Sequence, residues 1–117
     1  MANTFKNNIK TGIGTSGAGT SHANPVYVAG SGVTATIIGM TCANVTSSDV
    51  TVDVKLTDNS ASQASSFIVK DAPVPAGGSL VVVGGNQKIV LEEADSITVI
   101  TSAASSIDAT LSIMEQD

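Results

Sequence analysis

The sequence predicts an all-β protein: about eight antiparallel strands in a two-sheet sandwich or jelly roll, behind an extended N-terminal arm. Three observations predict it. Two segments alternate strictly, Val50-Val52-Val54-Leu56 against Thr51-Asp53-Lys55-Thr57, and Ile107-Ala109-Leu111-Ile113 against Asp108-Thr110-Ser112-Met114. A period of two puts one face in a core and the other in solvent. The remaining apolar segments are short, rich in Val, Ile and Thr, and separated at regular spacing by Gly, Pro, Asn, Asp and Ser. Finally, no segment has helical periodicity. A single barrel is the alternative arrangement of the same strands.

The domain plan divides the chain into an arm, residues 1–23, and a sandwich domain, residues 24–117. TFKNNIKTGIGTSGAGTSHAN is rich in Gly, Ser, Thr and Asn and lacks a sustained period. Such a segment buries too little apolar surface to offset its ordering entropy, so it is expected to be flexible and to order against a neighbour. Phe5 and Ile9 are its only plausible anchors. Pro25–Ala29 reads as a short strand containing Tyr27, the single tyrosine, with Pro25 at a strand start where no ladder donor is lost.

Val33–Asp58 is expected to form a long β-hairpin around which the other strands assemble. Its first half changes phase: Val33, Ala35 and Ile37 share one face, then Ile38, Met40 and Cys42 the other. A bulge near Ile37–Gly39 explains the slip. Thr46-Ser47-Ser48-Asp49 is a turn of residues that hydrogen-bond their own backbone.

Residues 59–64 are expected as a polar loop and Ser66–Lys70 as the next strand. Asp71–Gly78 carries two prolines that keep it extended and out of a central strand. Leu80-Val81-Val82-Val83 is a continuous apolar run between Gly pairs. It is expected to be a strand covered on both faces, by the second sheet and by a partner subunit. Lys88–Glu92, Ser96–Thr101 and Ile107–Met114 complete the set, with turns at Glu93–Asp95 and Ala103–Ser106.

Composition limits the function. The chain has net charge −5, five lysines and no arginine, with one tyrosine and two phenylalanines. Lacking basic runs and stacking aromatics, it is not expected to bind nucleic acid. No apolar run reaches membrane-spanning length, and MANTFKNNIKTG has no apolar signal core, so synthesis in a cytoplasm is expected. A small core of Val, Ile and Ala, with one cysteine and so no internal disulfide, points to oligomerisation as added stability.

Catalytic constellations are missing. The single histidine, His22, lies in the arm, so neither a Ser-His-Asp triad nor a Cys42-based site has a placed base, and zinc sets fail for want of His and Cys. Cys42 reads as a small buried hydrophobe. Gly12-Ile13-Gly14-Thr15-Ser16-Gly17 matches G-x-G-x-x-G but lacks the preceding strand, following helix and downstream acid of a dinucleotide site. Asp49, Asp53, Asp58 and Asp71 each have a structural explanation in a turn or on a strand, which weighs against a calcium site. Glu92, Glu93 and Asp95 read as a charged turn that discourages edge pairing. No enzyme, metal or cofactor is expected.

Residues 24–115, above all Asp71-Ala72-Pro73-Val74-Pro75, Gly84-Gly85-Asn86-Gln87-Lys88 and Ala94-Asp95-Ser96-Ile97 leading into Ser102–Ser106, resemble small β-rich structural proteins of tailed-phage virions. The resemblance implies a particle component without catalytic residues, and within that class a capsid decoration (cement) protein. Such a protein would sit on the capsid exterior as a homo-oligomer, with a trimer implied, and bridge major capsid protein subunits. A tail, neck or fibre component, or a carbohydrate- or receptor-binding sandwich, are the alternatives. The contact residues expected from the sequence are Phe5, Ile9, Tyr27, Leu80, Val81, Val82 and Val83.

Overall fold

The computed structural model describes residues 3–15, 25–59 and 64–117. They form nine strands: β1 (Asn3–Ile13), β2 (Pro25–Val28), β3 (Thr34–Asn44), β4 (Val50–Asp58), β5 (Ala64–Val74), β6 (Ser79–Val83), β7 (Ile89–Leu91), β8 (Ser96–Thr101) and β9 (Ile107–Gln116). A five-stranded sheet runs β1-β9-β3-β6, with β7 also paired to β3, and a four-stranded sheet runs β2-β8-β4-β5. Every pairing is antiparallel. The two sheets enclose one apolar core, so the two-sheet sandwich expected from the alternation is the architecture found.

Each sheet supplies its core face by alternation. Along β9, Ile107, Ala109, Leu111 and Ile113 are buried and Thr110 and Ser112 are exposed. In β3 the pairing with β9 skips a residue between Ile37 and Gly39. That bulge returns Met40 and Cys42 to the same buried side as Ala35 and Ile37, as the change of phase predicted. In β4, Val50, Val52 and Val54 point inward, and Val74, Leu91, Ile97 and Val99 complete the centre.

The expected β3–β4 hairpin does not form. β3 is a central strand of the larger sheet and β4 of the smaller, so their connection crosses from one layer to the other. Asn44, almost wholly buried, holds the crossing. Its Nδ2 donates to the carbonyls of Ser48 (2.8 Å) and Val74 (3.1 Å), while its Oδ1 accepts from the Thr46 amide (2.9 Å) and hydroxyl (2.7 Å). The Thr46–Asp49 turn is present, stitched by Thr46 Oγ1 to the Ser48 carbonyl. Among the described strands, β4 and β5 are the consecutive pair that hydrogen-bond to each other.

The flexible-arm expectation also needs correction. Residues 3–13 are an edge strand paired along β9, from Asn3 opposite Gln116 to Ile13 opposite Ile107. The ladder uses main-chain groups, so it needs no apolar periodicity, and Ile13 is the one side chain of β1 that is fully buried. Residues 1–2 and 16–23 of the expected arm, including His22, lie outside the described residues, as does most of the expected 59–64 loop. β5 extends through Pro73 to Val74, and the proline is tolerated because β5 is a sheet edge that pairs with β4 alone.

Candidate interaction face

The outer face of the five-stranded sheet is built from the residues that alternate away from the core. Two cross-strand rows organise it. Phe5, Met114, Thr36 and Val90 lie opposite one another across β1, β9, β3 and β7. Ile9, Thr110, Thr41 and Val81 do so across β1, β9, β3 and β6. Opposed residues share a face, so each row carries an apolar side chain at both ends, with Met114 and Thr36 between them in the first and the hydroxyls of Thr110 and Thr41 in the second. Between the rows lie Asn7, Ser112 and Gly39.

All four end residues are strongly exposed: Phe5 75%, Ile9 59%, Val81 65% and Val90 56%. Single exposed apolar residues are ordinary on a protein surface, but four framing one sheet face make it the candidate interaction surface. The face carries almost no charge. Asp108 stands at its end, where its Oδ1 accepts from the Gly12 amide (3.0 Å).

The opposite face of the sandwich is charged. Lys70 Nζ lies 3.2 Å from Asp71 and 3.7 Å from Asp53, and its hydrogen bond to Asp71 is the first cause that holds its pKa above the usual lysine value. Lys55 and Lys70 flank the Phe67 ring at 5.5 and 5.3 Å from its centroid. Beside them is a cleft of about 240 Å³ lined in part by Asp53, Asp71, Thr51 and Ile100.

Three of the sequence-predicted contact residues, Phe5, Ile9 and Val81, meet on the face. The other four do not. Tyr27 is buried, and its hydroxyl donates to Glu115. Burial first, then that hydrogen bond and the Glu115 charge, raise the Tyr27 pKa well above its usual value. Leu80 is half-buried against the core, and Val82 and Val83 are inside it. Within one copy the second sheet thus covers Leu80, Val82 and Val83, while Val81 faces outward. A register shift between Met40 and Thr41 turns two consecutive valines of β6 inward, leaving Val81 outside. Val90 was missed from the sequence, although its place between inward Ile89 and Leu91 gives its direction.

The remaining candidates have structural tasks. Gly14 packs so closely on the Ala103–Ser106 turn that a Cβ there would lie 3.0 Å from Ala104 Cα. The Gly14 and Ile13 carbonyls accept from the amides of Thr101 (3.1 Å) and Ser106 (2.9 Å). The Gly-x-Gly pair therefore seats a strand end on a turn. Asp49 accepts from the Ala76 amide (3.0 Å) and Asp53 from the Asp71 amide (2.7 Å). Cys42 is fully buried and its thiol pKa is pushed up to about 11 by burial.

The fold does join one set of acids that the sequence keeps apart. Asp58, Glu92 and Asp95 bring carboxylate oxygens within 4.8 Å of one another and could offer them to a cation. One Asp95 oxygen already accepts from the Glu92 amide (2.9 Å). Comparison with known protein families, curated proteins and solved structures returns no match to this chain.

Proposed function

We propose that this chain is a structural protein of a tailed-phage particle, a decoration protein that binds the outside of the head as an oligomer and bridges major capsid protein subunits. The observation that carries the reading is the outer face of the five-stranded sheet, where Phe5, Ile9, Val81 and Val90 frame a broad surface with one charge at its end. A surface of this kind serves association rather than bond-making. The resemblance of residues 24–115 to small virion proteins supports the same class of role.

The mechanism is mechanical. Copies repeated on a symmetric shell gain by multivalency what one weak contact does not supply, because each further contact is made at high effective concentration. Subunit edges tied together in this way resist the pressure of packaged genome. The acidic surface keeps the unassembled protein soluble.

The test is add-back. Purified protein is titrated onto heads that lack it, and bound protein and the rupture temperature of the heads are measured. Saturable binding with a raised rupture temperature is expected. Failure to bind, or binding that leaves rupture unchanged, contradicts the reading.

A further inference from the structure

We propose that the outer face of the five-stranded sheet is where a second copy of this chain packs, face to face about a two-fold axis. The inference rests on the reading of the protein as an oligomeric structural component and names the surface that makes the oligomer.

Charge argues for a copy rather than an unrelated partner. The chain carries ten acids and five lysines, and among the described residues paired across this face the one charged outward position is Asp108, at its end. A second copy brings the same acidic excess, and like charges set against each other oppose association. A surface that must meet itself therefore has to be cleared of charge, whereas a surface for a basic partner would display its acids. The acids of this chain lie elsewhere, in the turns, on the charged opposite sheet and at the strand ends.

Shape argues the same way. A two-fold contact is isologous, so each bulky group must meet a shallow place on the identical surface. The rows provide this. Phe5, Ile9, Val81 and Val90 stand at the two lateral edges, while Thr36, Gly39, Thr41, Thr110 and Ser112 keep most of the middle low and Met114 is the one long side chain between the edges. Aligned sheets pack about 10 Å apart with interdigitated side chains, and this relief allows it.

The area is sufficient. At about 3.3 Å per residue and about 4.8 Å between strands, β1, β9 and β3, flanked by the shorter β6 and β7, present roughly 600 Å². Two such faces bury about 1,200 Å² together, the lower end of the range for stable, specific interfaces.

The test is the oligomeric state of the free protein by sedimentation, for the wild type and for the pair Thr41→Lys and Val81→Lys. A wild-type dimer, and a monomer of unchanged circular dichroism for the double variant, are expected. A wild-type monomer or trimer overturns the proposal, as does a dimer that survives the lysines. Should the lysine variant fail to fold, Ser112→Cys in a Cys42→Ala background decides. Near the axis it is expected to oxidise to a disulfide-linked dimer at least tenfold faster than Phe67→Cys on the opposite sheet, and equal rates overturn the proposal. Failure here is distinct from failure of the virion reading. A solution dimer absent from particles keeps this inference and sinks that one, and a monomer abundant on heads does the reverse.

Discussion

The hydroxyl of Tyr27, on the edge strand of the smaller sheet, donates to the carboxylate of Glu115, on β9 of the larger one. Lys6 of β1 reaches the same carboxylate at 3.6 Å. One acid thus ties the two layers together where β1 and β2 close the side of the sandwich, and Asn8 reinforces the seam by donating to the Val26 carbonyl.

Tyr27→Phe is expected to cost about 1.5–3 kcal/mol, the range for a hydrogen bond to a charged group. The effect depends on pH. The tyrosine pKa is raised in the folded protein, so its contribution is complete below its unfolded value of about 10 and is lost as pH rises through that value toward the folded one. Urea melts from pH 7 to 11.5 should show the wild-type advantage over Tyr27→Phe shrinking above about pH 10. A constant difference across that range would contradict the assignment.

Cys42 offers a second alkaline signature and a probe of the core. Burial pushes its pKa up to about 11, so at pH 8 the folded protein should react with a thiol reagent on the order of a hundredfold more slowly than the unfolded chain, from ionisation alone. Fast labelling of the native protein would show that β3 does not face the core as described.

Asn44 is the polar centre of the crossing between sheets. Asn44→Ala strips partners from the Val74 carbonyl and the Thr46 amide and is expected to lower stability by about 2–4 kcal/mol. Asn44→Asp keeps the acceptor for Thr46 but loses both donors, so it should not rescue the loss. Chemical denaturation measures both; a change within about 0.5 kcal/mol would place the fixation of the crossing elsewhere.

β1 makes the fourth case, because its two apolar ends should behave differently. Ile13→Ala is expected to cost about 2–4 kcal/mol, since Ile13 is buried where β1 joins the core. Phe5→Ser should change monomer stability by no more than about 0.5 kcal/mol, because the ring is exposed. Equal losses at both positions, read from denaturant midpoints, would contradict the placement of the strand.

These residues also show what could be read from the chain. Alternation in β9 reveals a buried face because one side of that strand meets the core, and the slip at Gly39 reveals the bulge for the same reason. Alternation says nothing of which strand lies alongside. Val33–Asp58 therefore looks like a hairpin, while its halves sit in different sheets and Asn44 looks like an ordinary strand end. β1 escapes composition altogether, because backbone pairing with β9 leaves no side-chain pattern. The candidate face was partly visible. Phe5 and Ile9 stand out as apolar residues in a polar segment, but the run Leu80–Val83 does not reveal that Val81 alone points outward, and Tyr27 finds its partner across 88 residues of sequence, a relation no local pattern encodes.

Copy number in purified particles, by quantitative mass spectrometry against the major capsid protein, decides whether this chain decorates the head. A number that rises in proportion to the capsid protein, as a shell-wide decoration requires, is expected. A small fixed number would move the chain to the neck, tail or fibres, and its absence from particles would contradict the virion reading outright.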